Sequence, residues 1–362
     1  MSNQLIIDSE YKESFSNLLH NEKFKNILII TSRGNQKRGY QDSFIKIINE
    51  HKCQHLIYQV NKYPDLEEID EIFKNFSNSN IDLVLSIGGG SVLDIGKIFA
   101  TCNIPEEKLN NVSSIKERSS EDFIYSIAVP TTSGSGAEST KFATIWSEKT
   151  KQKFSYENEH LIPDLVYLVP EFSKSLTYDL TLTTTLDALC HAIDSLLNKN
   201  STNQSIDLSK KAISLISKNL VFLLEDLENI ELRKKILHAS NLSGKAINIS
   251  RTSLNHSISY PLTNYYGLPH GLACAFSVVT TFEYYKNNIS NLDFGSYINL
   301  AVELIKQLEL SKIYKTQLKE LDVEIITEEA LNNSRSENFL FFVEKKIINE
   351  ILSEAKKYYL TD

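Results

Sequence analysis

Glycine and proline are scarce in this 362-residue chain, which has 12 glycines and 7 prolines. So low a content excludes a collagen-like, low-complexity or disordered chain. Cysteine is scarce too, and Cys53, Cys102, Cys190 and Cys274 are scattered without any C-x-x-C pair. Without a secretory signal, four isolated thiols indicate reduced cysteines in a cytoplasmic protein.

Long apolar segments and an excess of positive charge are also lacking. The longest apolar run, at residues 272–279, is far shorter than the roughly 18 residues that span a bilayer. Residues 1–10 contain no hydrophobic signal-peptide core. The formal net charge of −8 disfavours a general nucleic-acid binder. We therefore expect neither a membrane nor a nucleic acid as a partner.

The length and composition of the chain predict two domains, because 362 residues exceed what one hydrophobic core usually supports. The first half alternates apolar runs with a segment of helical period, which predicts a parallel sheet covered by helices. Strands are predicted at residues 26–31, 54–60, 81–87 and 123–129, a turn at residues 32–39 and a helix at residues 66–76.

After about residue 170, strand-like runs give way to apolar residues at helical spacing. Helices are predicted at residues 182–197, 205–227, 230–248 and 296–308. The predicted fold is therefore an α/β domain over residues 1–172 followed by an all-α domain over residues 173–362. The Lys- and Glu-rich tail after residue 310 is expected to form solvated helices that close the second domain.

Four residues of the helical half are candidates for one metal site. Asp187 and His191 are one turn apart on a predicted helix, so both side chains can reach the same ion. His256 and His270 flank a segment containing proline and glycine. One carboxylate and three imidazoles suit Fe²⁺ or Zn²⁺ and leave room for a substrate oxygen. Taken alone, each histidine is more simply an isolated residue, and the intervening Cys190 either competes for the metal or packs in the core.

Two glycine-containing loops follow predicted strands. Residues 88–97 read GGGSVLDIGK and open a helix, and residues 130–138 read PTTSGSGAE. Glycines let the backbone approach a pyrophosphate, and a helix N-terminus adds free N–H groups. Both loops fall at the carboxyl edge of the predicted sheet, where nucleotides bind, although tight turns without a ligand have a similar composition. Residues 1–172 are therefore predicted to be a dinucleotide-binding domain.

Together these motifs resemble the iron-containing (group III) alcohol dehydrogenases over residues 26–275. The resemblance is carried by GGGSxxD at 88–94, TTSGSGAE at 131–138, DALxHA at 187–192 and PHGLA at 269–273. It implies a dehydroquinate synthase-like architecture, with a metal in the cleft between the two domains, and a homodimer or larger homo-oligomer. The metal ligands that it implies are Asp187, His191, His256 and His270. The cofactor-binding residues that it implies are Gly89, Gly90, Ser91, Asp94, Thr131, Thr132 and Ser135.

Two positions depart from the family's pattern. Many members carry a second histidine four residues after the third metal ligand, thought to relay a proton, where this chain has Tyr260. Residues 244–260 instead resemble the phosphonoacetaldehyde reductase branch, which makes 2-hydroxyethylphosphonate. NAD-preferring members often place an Asp after the first strand, where this chain has Ser32 and Arg33. A cofactor 2′-phosphate is tolerated there, so NADPH is expected as well as NADH, unless Arg33 is an ordinary exposed charge.

The residues and the resemblance predict an NAD(P)H-linked reductase of a small anionic aldehyde. The metal would polarise the carbonyl while the nicotinamide delivers hydride. The candidate catalytic residues are His256 and Tyr260, the latter as proton donor unless it merely packs while water or the cofactor ribose relays the proton. An anionic substrate needs a local cation, for which Arg251 is the first candidate and Lys153 and Lys245 are the next.

Three other functions fit part of the pattern. The chain could reduce a small neutral aldehyde or act as an alcohol dehydrogenase of broad specificity. A lyase similar to dehydroquinate synthase is disfavoured by the DALxHA motif. A metal-free, non-catalytic protein is disfavoured because all four ligand positions are intact.

Overall fold

The computed structural model of the chain describes residues 4–7, 10–61, 64–104, 109, 111–147, 152–288 and 294–361. The chain divides into two compact units. The first comprises Met1–Thr132 and Ala137–Ser175, and the second comprises Ser133–Gly136 and Leu176–Asp362. The boundary predicted after residue 172 lies close to the division after Ser175, whereas nothing in the sequence predicted that Ser133–Gly136 joins the second unit.

A six-stranded parallel sheet forms the centre of the first unit. The described strands are β1 (Gln4–Ile7), β2 (Asn26–Ser32), β3 (Gln54–Val60), β4 (Leu83–Gly88), β5 (Cys102–Asn103), β6 (Lys116–Glu117), β7 (Tyr125–Pro130), β8 (Phe142–Ser147), β9 (Gln152–Glu157) and β10 (Leu165–Leu168). The sheet has the order β1-β10-β7-β4-β2-β3, and β5–β6 and β8–β9 are antiparallel pairs. Every residue of β4 is buried, as expected for a parallel strand with both faces covered.

Helices cover this sheet. They are α1 (Tyr11–Glu22), α2 (Arg33–Lys37), α3 (Asp42–Glu50), α4 (Leu66–Phe76) and α5 (Gly90–Thr101). The predicted turn at residues 32–39 is wrong over α2. This short helix forms because the Ser32 hydroxyl accepts a hydrogen bond from the Asn35 N–H and caps its first turn.

The second unit is helical. Its described helices are α6 (Tyr178–Leu196), α7 (Asn203–Glu225), α8 (Ile230–Ser250), α9 (Leu254–Tyr266), α10 (His270–Ala275), α11 (Val278–Asn288), α12 (Gly295–Gln307), α13 (Ser311–Gln317), α14 (Val323–Leu331) and α15 (Lys345–Leu360). The predicted fold class, an α/β part followed by an all-α part, is confirmed. The Lys- and Glu-rich tail also contributes to the core of the second unit, because Ile348, Ile351 and Leu352 of α15 are buried. None of the described helices is long and apolar enough to cross a membrane.

Candidate functional site

Helix α6 supplies two of the predicted metal ligands. Thr177 caps its first turn by accepting a hydrogen bond from the Leu180 N–H, and the following 19 residues stay helical. Asp187 and His191 therefore project from one side of α6, and Asp187 Oδ1 lies 3.7 Å from His191 Nε2. The i, i+4 prediction for this pair describes its geometry correctly.

Helices α9 and α10 bring the other two imidazoles to the same carboxylate oxygen. Asp187 Oδ1 lies 3.5 Å from His256 Nε2 and 3.7 Å from His270 Nε2. A glycine makes the last approach possible, because a β-carbon at Gly271 would lie 1.8 Å from the Thr183 carbonyl oxygen on α6. The His270 side chain is 34% exposed, more than those of Asp187, His191 and His256.

The donor atoms of this cluster fit a divalent metal ion. A metal–ligand distance of about 2.1 Å places neighbouring ligand atoms roughly 3.0–3.5 Å apart, close to the separations around Asp187 Oδ1. Among the described residues, Asp187 Oδ1 and His256 Nε2 are buried without a hydrogen-bond partner. Such atoms normally find a partner when they are buried, and an ion at the centre of the cluster would satisfy both.

Asp194 fixes the orientation of His256, a function that the sequence interpretation missed. Its Oδ2 lies 2.8 Å from His256 Nδ1 and also accepts the Ser253 N–H, while Oδ1 accepts the Asn255 side-chain amide. A carboxylate only accepts, so Nδ1 carries a proton and Nε2 faces the cluster, where a bound metal ion would replace any proton on that nitrogen. The sequence could have indicated Asp194, because it lies two helical turns after Asp187 on the same side of α6.

The electrostatics of the buried cluster favour charged carboxylates. Burial opposes ionisation of Asp187, but His191, His256 and His270 hold its pKa well below the usual range. Burial lowers the pKa of His191 to about 4, so this imidazole is neutral near pH 7. Burial also opposes protonation of His256, yet its neighbours Cys274, Asp187 and Asp194 raise its pKa well above the usual value.

The cysteine that joins this cluster is Cys274 rather than Cys190. The ligand atoms of Asp187, His256, His270 and Cys274 all lie within 4.8 Å of one another. Cys274 Sγ lies 3.8 Å from His270 Nε2, one turn away on α10. Cys190 is buried in the surrounding apolar core, as the packing alternative had it. The sequence indicated Cys190 because it precedes the candidate ligand His191, but the side chains of neighbouring helix positions point in different directions.

The first glycine loop, a predicted cofactor site, joins strand β4 to helix α5 in the first unit. Strand β4 ends at Gly88, Gly89 is the N-cap of α5, and Gly90 begins the helix. The backbone is exposed there, since Gly89, Gly90 and Ser91 are only partly buried. Free N–H groups in the first turn of a 12-residue helix suit a pyrophosphate.

Thr131 and Thr132 follow the neighbouring strand β7 and approach this turn. The Thr131 N–H donates to the Gly88 carbonyl at 2.9 Å, and a β-carbon at Gly89 would lie 3.4 Å from the Thr132 side chain. Ser135 is partly exposed and belongs to the second unit. The structure therefore brings Thr131 and Thr132, but not Ser135, together with the glycine turn inside one unit.

The other predicted cofactor residues have structural partners. Asp94 is buried, accepts Lys97 Nζ at 3.0 Å, and accepts the Thr144 N–H at 2.9 Å. Ser32 is the cap of α2, and Arg33 is exposed on that helix. Contact of these three residues with a cofactor stays a prediction.

Tyr260 lies beside the candidate metal ligands, and the guanidinium of Arg335 lies over its ring. Its ring stacks on the His270 ring with centroids 5.6 Å apart, because α9 places it one turn after His256. The Arg335 guanidinium carbon lies 5.0 Å from the centre of the Tyr260 ring. Arg335 lies well beyond residue 275, where the resemblance to the family ends, so none of the motifs includes it.

The predicted substrate cations are spread over several elements. Arg251 ends α8 and has an exposed side chain, with a backbone φ of 67°. Lys245 is half-buried on α8 and acts electrostatically on His238. Lys153 lies in β9, and its side chain falls outside the part of the chain that the structure describes. Their role in binding a substrate stays a prediction.

Both halves of the chain match models of known families. Residues 3–170 match "Iron-containing alcohol dehydrogenase", and residues 181–334 match "Fe-containing alcohol dehydrogenase family, C-terminal". Two solved structures with similar folds are a 1,3-propanediol oxidoreductase and the sulfoacetaldehyde reductase of Bifidobacterium kashiwanohense in complex with NAD+. The first has a TM-score of 0.82 at 22% identity over 98% of both chains. The second has a TM-score of 0.83 at 19% identity over 98% of this chain and 97% of that chain.

Several proteins of known activity are similar to this chain in sequence. Alcohol dehydrogenase 4 of Schizosaccharomyces pombe is 30% identical over 70% of this chain and 60% of its own length. Phosphonoacetaldehyde reductase of Streptomyces viridochromogenes is 34% identical over 54% of this chain and 51% of its own length. The chain thus spans about half to three fifths of these two relatives. NAD-dependent methanol dehydrogenase of Bacillus methanolicus is 26% identical over 85% of this chain and 86% of its own length.

Proposed function

The chain belongs to the iron-containing alcohol dehydrogenase family, and from that premise we propose that it is a metal-dependent, NAD(P)H-linked aldehyde reductase. The observation that carries this proposal is the convergence of three imidazoles on one buried oxygen of Asp187. The proposed substrate is a small anionic aldehyde, with phosphonoacetaldehyde as the first candidate and 2-hydroxyethylphosphonate as its product.

The reaction needs one hydride and one proton. Aldehyde, NAD(P)H and a proton give alcohol and NAD(P)+, the hydride forming the new C–H bond and the proton forming the O–H bond. A metal bound by Asp187, His191, His256 and His270 would supply a Lewis acid for the carbonyl, and the nicotinamide would supply the hydride.

The residues of the chain perform the remaining tasks. Asp194 holds His256 in the tautomer whose Nε2 is available as a ligand. The Gly89 turn and Thr132 hold the cofactor phosphates. Tyr260, which stacks on His270, donates the proton to the carbonyl oxygen.

An anionic substrate is supported by one relative and by one unpaired cation. The relative is the phosphonoacetaldehyde reductase at 34% identity. The cation is Arg335, which lies over Tyr260 and, among the described residues, has no carboxylate within ion-pair distance. A guanidinium binds two oxygens of a phosphonate at once, so Arg335 joins Arg251 as a candidate for this contact.

A panel of aldehydes with both cofactors tests the proposal. Oxidation of NADPH and NADH is followed with phosphonoacetaldehyde, butanal and lactaldehyde. We expect the largest kcat/KM with phosphonoacetaldehyde, and loss of turnover after chelation with recovery on addition of Fe²⁺ or Zn²⁺. If butanal and lactaldehyde are reduced as efficiently, the second candidate holds, a reductase of small neutral aldehydes, which the similarity to methanol dehydrogenase favours.

Two substitutions separate the candidate anion-binding residues. Arg251→Ala or Arg335→Met is expected to raise KM for phosphonoacetaldehyde far more than KM for butanal, which is the internal control. An equal effect of a substitution on both aldehydes removes that residue from the substrate site. Consumption of reduced cofactor in the same assay argues against a lyase, since such an enzyme regenerates its NAD.

A further inference from the structure

A thiol, that of Cys274, lies within the group of candidate metal ligands. Cys274 follows His270 by one turn of α10, as His191 follows Asp187 by one turn of α6, and its Sγ lies 3.8 Å from His270 Nε2. The side chain of Cys274 is fully buried. Its sulfur and the ligand atoms of Asp187, His256 and His270 lie within 4.8 Å of one another.

Two other atoms of the cluster point to a ligand in the same space. Asp187 Oδ1 and His256 Nε2 are buried without a hydrogen-bond partner among the described residues, and the His256 side chain is only 2% exposed. The thiol sulfur lies within 4.8 Å of both atoms, so an ion that bound them could bind the sulfur as well.

We propose that Cys274 is a ligand of the metal, which makes the centre a mixed nitrogen, oxygen and sulfur site. On binding, the S–H bond breaks, a sulfur–metal bond forms, and the proton passes to solvent, so two ligands, Asp187 and Cys274, balance the charge of a divalent ion. This inference rests on the metal centre of the proposed function.

A sulfur ligand changes which metal the site prefers. Thiolates are soft ligands that suit Zn²⁺ and Co²⁺, whereas carboxylates and imidazoles alone also suit Fe²⁺ well. We therefore expect the protein to retain Zn²⁺ in preference to Fe²⁺ more strongly than a site of three histidines and one aspartate would.

Cobalt substitution tests the proposal without any measurement of activity. The full-length protein is stripped with a chelator and reloaded with one equivalent of Co²⁺, and its near-ultraviolet absorption is recorded. We expect an intense thiolate-to-cobalt charge-transfer band that is lost in both Cys274→Ser and Cys274→Ala. Cys190→Ala is the matched control, because Cys190 is an equally buried thiol, adjacent to His191 in sequence, and its loss should leave the band intact.

The outcomes distinguish this inference from the metal centre itself. Wild-type protein that binds one equivalent of Co²⁺ without the band overturns the assignment of Cys274 and leaves the proposed function standing. Wild-type protein that binds no Co²⁺, like an Asp187→Asn control, contradicts the metal centre. In competition, Cys274→Ser should weaken Zn²⁺ binding by about 10–100-fold or more, since loss of even an indirect metal partner costs that much, and should lower the ratio of Zn²⁺ to Fe²⁺ affinity.

Discussion

At the scale of single residues, the most consequential side chain beyond the candidate metal ligands is Asp194. Burial opposes its ionisation, but hydrogen bonds from His256, Ser253 and Asn255 hold its pKa below the usual value. The network extends further, because Asn255 Oδ1 accepts from the Ser277 hydroxyl. A charged, fully hydrogen-bonded carboxylate behind a ligand both fixes the imidazole ring and increases its basicity.

Asp194→Asn is expected to weaken metal binding by about 10–100-fold, because the amide cannot replace the charged acceptor of the His256 Nδ1–H. Competition of Zn²⁺ between the protein and a chromophoric chelator measures this change. Asp179→Asn is the control, since Asp179 is exposed in the first turn of the same helix. Unchanged affinity in Asp194→Asn would show that packing alone positions His256.

Tyr260→Phe tests the assigned proton donor. We expect kcat for aldehyde reduction to fall by about 100-fold, a typical loss for a general acid, with metal content unchanged because the ring still stacks on His270. Steady-state kinetics and metal analysis on the same preparation measure both. An unchanged kcat would assign the proton to water or to the cofactor.

His238 makes the stability of the protein sensitive to acid. Burial first, and then Lys245 and Lys211, lower its pKa from the usual 6.5. Because the folded state binds this proton less readily than the unfolded state, the free energy of unfolding falls as the pH drops below about 6.5 toward the folded pKa. Urea denaturation at a series of pH values should show that the free energy of unfolding falls less steeply in acid for His238→Gln than for the wild-type protein, with the exposed His20→Gln as the matched variant.

The residues of the site differ in how far the sequence predicted them. Asp187 and His191 follow from helical spacing alone, since their geometry is local. Asp194 also has a helical spacing from Asp187, but its partner His256 lies 62 residues later, and spacing does not encode such a contact. Cys274 reaches the candidate metal ligands because of how α10 packs, and Arg335 reaches Tyr260 because of how the segment before Phe339 packs. Sequence spacing encodes neither arrangement.

At the scale of elements, one contact between helices positions a candidate metal ligand. Helix α10 meets α6 where Gly271 faces the Thr183 carbonyl, and a β-carbon there would also lie 3.0 Å from the Asp187 backbone nitrogen. The neighbouring residue on α10 is His270, so the distance between the two helices determines whether this ligand reaches Asp187.

Gly271→Ala is expected to destabilise the protein by about 1–3 kcal/mol, because backbone rather than a flexible side chain must move. It should also weaken Zn²⁺ binding by displacing His270. Gly267→Ala is the control: Gly267 has a φ of 66° and open space around it, so only backbone strain of roughly 1 kcal/mol is expected, with metal affinity retained. Denaturant unfolding and Zn²⁺ competition measure both; equal losses of affinity would contradict a specific role for Gly271.

The sequence predicted the elements with long, regular patterns and missed the short ones. Strand β3 and helix α4 have the predicted bounds, because their apolar periods are clear. Strand β10 has four residues, all buried, and so short a run lacks a distinctive period. Helix α2 was missed because a capping hydrogen bond from one serine, rather than an apolar pattern, begins it.

At the scale of the whole molecule, the candidate sites for the metal and for the cofactor phosphates fall into different units. The candidate metal ligands lie in the second unit, and the glycine turn at Gly89, the candidate cofactor site, lies in the first. A ligand present at 100 times its dissociation constant stabilises the state that it binds by about 2.7 kcal/mol.

Chelation should therefore act on one unit first. We expect hydrogen exchange to accelerate by up to about 100-fold in α6, α9 and α10 when the metal is removed, with β2 and β4 unchanged. Addition of NADPH should instead protect the amides at the start of α5. Exchange that accelerates equally in both units would show that they open as one cooperative body.

The return of Ser133–Gly136 to the second unit limits how related chains can be recombined. Gly136 and Gly244 approach so closely that a β-carbon on Gly244 would lie 2.8 Å from the Gly136 Cα. A hybrid joined after Ser175 would take these two glycines from different parents. Such a crossover should fold only when the first parent supplies glycine at position 136 and the second supplies glycine at position 244, so two residues far apart in the sequence constrain each other.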